Sequence, residues 1–389
     1  MQNDTFSPEL QAILENIDKI CAKYDPSYWR NCDSQAQFPQ MFFEDMVQAG
    51  LLGIMMPPEY GGAGLSMLDA AMIVQRIVQS GAGMTGATTM HSYIFAPNPL
   101  LKHGTGEQKR NRLIPLIEGQ HRVCFAITEP DAGLDTSRLK TRATRQGDYY
   151  EVHGQKVWPT GALLANKLLL IARTTDQQDT KRPIDGLSLF YTDLDKETVK
   201  IKPIPKLGVS ANASCELFID GLKIPIEDRI GEEGKGFYYL LDGLNPERIL
   251  VAAEAIGLGR LALERAVAYA KERIVFGRPI GMNQGIQHPL AVCWAELEAA
   301  QQVVIHAAKK YDEGKDAGAY ANAAKYLGAE AGFKACTQAI MTHGGMGYAK
   351  EFDVERYLRE VMVPRLAPIS QQLVLCYLSE HVLGLPKSY

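Results

Sequence analysis

The chain of 389 residues carries 45 acidic against 41 basic side chains, a formal net charge of −4, with 46% hydrophobic and 22% charged residues. Its length allows two to three hydrophobic cores, and the absence of a concentrated basic stripe excludes the electrostatic footprint of a nucleic-acid binder. No apolar run approaches the roughly 18 residues needed to cross a bilayer, so no membrane span is expected.

The first residues, MQNDTFSPEL, lack a basic segment followed by an apolar core. They do not read as a secretory signal, and a cytoplasmic location is the expectation. In SPELQAILENIDKI, Ser7 suits an N-cap, Pro8 suits the first helical position, and apolar residues recur at three- and four-residue spacing. QMFFEDMVQAG and LDAAMIVQRIVQSG predict further helices, each closed by a glycine. From about Val123 the period changes to short β-branched and aromatic segments: CFAITEP, YYEVHGQKVW, KLLLIARTT, GLSLFYTDL and CELFIDGLKIP. The dipeptides in QGD, HG and DG punctuate them as expected turns. After GEEGKG the helical pattern returns from about Pro246 to Arg273, Asn283 to Asp312 and Ala319 to His343. A block of strands between two helical blocks predicts an α+β fold; neither alternating βαβ units nor a GxGxxG after a strand is present. The seven cysteines are odd in number and form no CxxC pair, so buried free thiols and no metal site are expected.

NPERILVAAEAIGLGR (245–260) sets Glu247 and Glu254 seven residues apart, on one face of an otherwise apolar helix. A carboxylate there must be paired, protonated or put to use. Asn245, Pro246 and Glu247 also read as a helix start, with a cap, a first-turn proline and an acid favoured by the helix dipole. By composition alone both readings stand.

CFAITEPDAGLDTSRLKT (124–141) followed by GQKVWPTGALLAN (154–166) resembles the acyl-CoA dehydrogenase family, with its TEP-x-AG-x-D loop and GxKxW segment. PPEYGGAG, HGTGEQKRNRLIPLIEG, RIVFGRPIGMNQGIQHPLA and HGGMGY are similar to further family markers, in the family's order. The resemblance covers nearly the whole chain. It implies a helical N-terminal domain (1–122), a middle β-barrel-like or sandwich domain (123–235) and a C-terminal four-helix bundle (236–389). It also implies FAD as cofactor, an acyl-CoA thioester as substrate, and electron-transfer flavoprotein as the acceptor.

Matched to the motifs, Phe125, Ile127, Thr128, Gly133, Trp158 and Thr160 are implied to line the isoalloxazine, and Leu134 to border the substrate. The alternative set aside is that Trp158 is a core indole on a strand and the threonines are solvated strand residues. Arg273, Phe276, Gln284, Gly344 and Gly345 match the segments that in relatives reach the FAD of a neighbouring subunit, which implies a homo-oligomer, dimer or tetramer. Arg273 also suits a helix C-terminus, and the two glycines an ordinary C-cap. Ser370 and Gln372 are implied cofactor contacts in the tail segment.

The chemistry needs a carboxylate that takes the proton alpha to the thioester carbonyl while the beta hydride leaves to flavin N5. Many relatives carry that glutamate in a YEGT-like segment, where this chain has Ala367 and Pro368. A smaller set, including the isovaleryl-CoA and long-chain enzymes, carries it before the arginine of an ERxxxA helix, which here is Glu247. Glu254 is the second candidate, or a carboxylate paired with a neighbouring bundle helix. Arg248 matches a residue holding the CoA portion, with a surface ion pair as the alternative. The sequence departs from the family at Leu134, Pro159, Gly161, Met341 and Pro368, the last removing an N–H that relatives use on the thioester oxygen. An acyl-CoA oxidase, a dehydrogenase of carrier-protein thioesters, and a non-catalytic acyl-thioester-binding subunit are the competing functions.

Overall fold

A computed structural model describes residues 6–388. Ser7 Oγ accepts the Leu10 N–H at 3.1 Å and Pro8 opens α1 (Pro8–Cys21), the start expected from sequence. The helical block continues through α2 (Pro26–Gln35), α3 (Gln40–Gln48), α4 (Met67–Ile77), α5 (Gly83–Phe95), α6 (Asn98–His103) and α7 (Gly106–Ile117). LDAAMIVQRIVQSG does not end at its glycine. A π-type turn, Val78–Ala82, with Gly81 at φ 111°, carries the chain straight on into α5. The amide freed at that kink is capped from far away: Glu360 accepts Met84 N–H at 2.7 Å and the Thr85 hydroxyl at 2.9 Å. A Cβ on Gly83 would meet Glu360 Oε2 at 2.3 Å, so only glycine fits there.

The strands are β1 (Val123–Ala126), β2 (Arg142–Gln146), β3 (Tyr149–Thr160), β4 (Lys167–Arg173), β5 (Leu187–Asp193), β6 (Val199–Pro203), β7 (Ser214–Pro225) and β8 (Arg229–Ile230). They form one mixed sheet in the order β6-β7-β3-β2-β4-β5-β8, with β1 parallel to β4. QGD does turn, with Gly147 at φ 64° joining β2 to β3. HG and DG do not. Gly154 lies inside β3, where a side chain would strike Thr141, and Gly221 lies in β7 at a register shift opposite β3. A glycine that relieves a close approach or a bulge looks the same in sequence as one that turns the chain.

The longest helix, α8 (Gly236–Glu272), begins ten residues before the expected start, so Pro246 sits inside it and not at its N-terminus. A short hairpin, β9 (Ile274–Val275) and β10 (Arg278–Pro279), leads to α9 (Gln284–Asp312) and α10 (Gly318–His343). The tail adds α11 (Val354–Val361), α12 (Val363–Leu366) and α13 (Gln371–His381). Helices α8, α9 and α10 pack on one another as the C-terminal bundle, with α11 against α8 and α10 and α13 against α10. Its central pair meets on small residues: a side chain on Gly328 would crowd Ala252, and one on Gly332 would come within 2.4 Å of the Ala255 carbonyl. One apolar core runs through both helical blocks and one face of the sheet, and a second fills the sheet's other side. The stretch Val354–His381 is long and apolar enough to cross a membrane by length and composition. It is three helices broken at Ala367–Ser370, with Arg356 and Glu360 buried in it. All seven cysteines are free, but Cys376 is only partly buried, unlike the other six.

Candidate functional site

The strand-end edge of the sheet, where β1 runs out into the 127–141 loop beside β3, is held by a buried ion pair. Lys156 Nζ, fully buried beneath β3, donates to Glu129 Oε1 at 2.9 Å and to the Ile127 carbonyl at 2.8 Å. Glu129 also accepts the backbone N–H groups of Lys140 and Thr141 at 2.7 and 2.9 Å, which folds the 129–141 loop back on itself. Burial pushes the Lys156 ammonium down to about 8, against the pull of Glu129, whose carboxyl stays below its usual range. The Val157 N–H donates to the Thr128 carbonyl at 2.9 Å, so the strand bearing Trp158 lies alongside the segment Phe125–Thr128.

Trp158 is no core indole. It is 54% exposed and held at φ 71°, a conformation a large side chain avoids, where β3 bulges between Val157 and Thr160. Thr160 Oγ1 lies 3.1 Å from Ser214 Oγ beside it. Phe125, Ile127 and Thr128 are half-buried on the same edge, and Gly133 and Leu134 are exposed on the loop that follows. An accessible indole bordered by hydroxyls, with free space over the Cα atoms of Gly133 and Gly161, fits a flat heterocycle.

On α8, Glu247 is half-buried, and desolvation pushes its carboxyl up to about 7. His91 and Arg248 oppose that rise and Glu254 adds to it. Because α8 begins at Gly236, Glu247 stands in the helix interior. The reading of Asn245, Pro246 and Glu247 as a helix start is overturned, and the free N–H groups that would favour an acid there are three turns away. Glu254 is buried and paired, with Oε1 2.8 Å from His91 Nδ1. Its partner comes from α5 in the first helical block, not from a bundle helix. The His91 ring meets Phe95 at 5.0 Å, and Phe95 meets Phe125 edge-on at 5.6 Å. This row of rings joins the α8 carboxylates to the sheet edge.

Arg248 is half-buried and makes no ion pair among the described residues. Its Nη1 donates to Asn245 Oδ1 at 2.9 Å, its Nε is buried without a partner, and burial lowers its pKa. The tail segment that replaces the usual acidic position is pinned nearby: Lys325 Nζ, close enough to act on Arg248, donates to Ile369 O at 2.7 Å and Gln371 Oε1 at 2.9 Å. Ser370 caps α13 through the Leu373 N–H, and Gln372 is exposed in the first turn.

Arg273, Phe276, Gln284, Gly344 and Gly345 form a separate group. Tyr269 stacks on His343 at 4.3 Å, which brings the C-terminal ends of α8 and α10 together and sets this group at one end of the bundle. Arg273 does close α8, its N–H bonding Tyr269 O, while its side chain is exposed. Phe276 is fully exposed at φ 52°, and no atom stands within 4 Å of a Cβ built on Gly344 or Gly345. From Glu247 to Arg273 the helix runs roughly 39 Å, at 1.5 Å per residue. Within one chain the two groups do not meet.

His91 was not among the residues singled out from sequence, although a histidine inside the apolar run MHSYIFAP was a visible signal. Glu129 and Lys156 lie in CFAITEPDAGLDTSRLKT and GQKVWPTGALLAN, 27 residues apart, so no single window of sequence shows the pair. A groove of about 660 Å³ lined by Arg76, Arg260 and Trp294 contains none of the site residues.

Family models described as the acyl-CoA dehydrogenase N-terminal, middle and C-terminal domains match residues 7–120, 124–222 and 234–367. Acyl-CoA dehydrogenase FadE12 of Mycobacterium tuberculosis is 36% identical over 389 residues, covering 98% of each chain. The caffeyl-CoA reductase-Etf complex subunit CarC of Acetobacterium woodii is 35% identical, covering 85% of this chain and 86% of its own. The butyryl-CoA dehydrogenase structure from Megasphaera elsdenii superposes with a TM-score of 0.92 at 28% identity, covering 97% and 99%. The chain therefore belongs to the acyl-CoA dehydrogenase family, and it is a flavin-dependent oxidoreductase with FAD as its cofactor.

Proposed function

We propose that this protein dehydrogenates an acyl-CoA thioester between its alpha and beta carbons to the trans-2-enoyl-CoA, with Glu247 as the base. The observation that carries the reading is Glu247 itself, a carboxylate on a half-buried residue whose pKa desolvation raises, tied by the His91–Phe95–Phe125 row to the flavin-binding edge. When bound, FAD supplies the acceptor for the hydrogen that leaves the beta carbon with its electron pair. Phe125, Ile127, Thr128, Trp158 and Thr160 would hold its ring, with Gly133, Ser370 and Gln372 as further contacts. Leu134 and Arg248 would face the thioester and its CoA portion. The Arg248 Nε, buried without a partner, is a donor left for an incoming anionic or carbonyl oxygen. Electron-transfer flavoprotein is the proposed acceptor, in keeping with the Acetobacterium woodii relative named as part of an Etf complex.

Anaerobic addition of a panel of acyl-CoAs is expected to bleach the visible absorbance of the FAD-loaded protein. Because only the ionised carboxyl accepts a proton, the bleaching rate should climb with pH through about 7, the range to which burial moves Glu247. If no thioester of any chain length bleaches the flavin, the dehydrogenase reading fails.

We further propose a homo-oligomer in which Arg273, Phe276, Gln284, Gly344 and Gly345 serve the FAD of a second copy. Their separation from Glu247 along α8 supports it, as do Ile274, Val275, Phe276, Met341 and Tyr348, all exposed at one end of the bundle. Arg273→Ala should weaken FAD retention roughly ten- to a hundredfold, the worth of one hydrogen bond to a charged group. Fluorescence titration of the apoprotein measures it, and unchanged FAD affinity would remove Arg273 from the cofactor site.

A further inference from the structure

We propose that His91 and Glu254 are a positioning pair for the base: Glu254 keeps the His91 imidazole charged, and that charge holds Glu247 as a carboxylate. The inference rests on Glu247 being the base. It begins from geometry. Glu247 and Glu254 share one face of α8, two turns apart, and His91 reaches that face from α5 with Nδ1 2.8 Å from Glu254 Oε1. Glu254 is 2% exposed and the His91 side chain 14%, so water contributes little to either.

A neutral imidazole here would leave Glu254 as a buried carboxylate without a counter-charge, an expensive state. Burial opposes charge on His91, but Glu254 and then Glu247 outweigh it and the imidazole pKa ends raised. The groups acting on Glu247 are His91 from α5, and Arg248 and Glu254 from its own helix. Arg248 in turn is acted on by Lys325 of α10 and Tyr377 of α13. The His91 cation lowers the Glu247 pKa more than Arg248 does, and the direct push of Glu254 in the other direction is smaller. The pair therefore acts on the base through the imidazole.

This ordering gives a test whose sign decides the matter. Removing the negative charge of Glu254 would by itself lower the Glu247 pKa. If Glu254 also holds the proton on His91, its removal discharges the imidazole, the larger effect is lost, and the Glu247 pKa rises. In the FAD-loaded Glu254→Gln variant, the acidic limb of the pH profile for flavin reduction at limiting acyl-CoA should move upward by up to about one unit. A limb that moves downward or stays in place overturns the proposal. His91→Gln, which removes the cation itself, should move the limb in the same direction; no upward move there overturns it equally.

The unmutated protein supplies a check that needs no variant to fold. In protein labelled with 15N-histidine, the His91 ring should titrate above the ordinary 6.5, and titration at or below it would overturn the pair. A merely structural role would change melting temperature and FAD retention without moving the limb. Failure of the underlying reading is distinguishable: Glu247→Gln would then keep its rate. With Glu247→Gln inactive and the limb unmoved in Glu254→Gln, only the pair is lost.

Discussion

Glu247→Gln should slow flavin reduction by acyl-CoA by about 10²–10⁴-fold, the usual contribution of a positioned general base, while leaving the fold and bound FAD intact. The substitution keeps the shape of the side chain and removes its ability to take a proton. Stopped-flow reduction under anaerobic conditions, at saturating substrate, measures it. Folding is not expected to suffer, and the sign can be worked out. Burial raises the Glu247 pKa above its ordinary 4.5, so the folded state binds its proton more tightly than the unfolded state does. That group's contribution to stability is present in full at low pH and is lost as pH rises from 4.5 through about 7. Glutamine carries no such dependence. The variant should therefore melt no lower than the unmutated protein at pH 8, and relatively higher there than at pH 5. A variant that is slow and also melts early at pH 8 would mean that Glu247 serves the structure. A variant that reduces its flavin at the normal rate would move the search for a base to Glu254.

The fold was legible wherever the information is local. Ser7 and Pro8 mark a helix start because capping and φ restriction act within four residues, and α9 and α10 run within one residue of the stretches expected from sequence. The start of α8 was misread because Asn-Pro-Glu is a good N-terminal signal that tertiary packing overrode. The helix is continuous through Pro246, which is itself buried. In the site, Thr128, Trp158 and Glu247 could be picked out by motif, since each lies in a compact sequence pattern. Three features could not be found that way. The exposure of Trp158 depends on a bulge, the partner of Glu254 lies 163 residues away on α5, and Glu360 caps a kink from 276 residues away. Each depends on contacts between elements that no single window of sequence contains. The charge of Glu247 is of this kind too. Its residue type is written in the chain, but whether it works near neutral pH is set by how much water the assembled helices leave it.

Lys156→Met should destabilise the protein by about 3–5 kcal/mol, toward the lower end of that range, and should release FAD. The lysine is fully buried, and its ammonium makes two bonds, to Glu129 and to the Ile127 carbonyl. Methionine fills the space of the side chain but leaves the Glu129 carboxylate in a dry place without a cation. The Lys140 and Thr141 amides still bond that carboxylate, which is why the loss should not reach the full range. Ile127 and Thr128 are on the edge proposed to hold the flavin ring, and the same lysine ties that edge to β3 two residues before Trp158. Freed, the edge loses the geometry that matches a flat ring, so FAD retention should fall along with stability. Denaturant unfolding of the apoprotein reports the first effect, and FAD remaining after gel filtration reports the second. The double variant Lys156→Met/Glu129→Gln removes the stranded charge and should recover much of the stability, because replacing both partners costs far less than removing one. Recovery of FAD binding is expected to be smaller, since the tie between Ile127 and β3 stays broken. A single variant with unchanged unfolding and full FAD would show that the loop is held by its backbone bonds alone, and the buried pair would lose its place in the site.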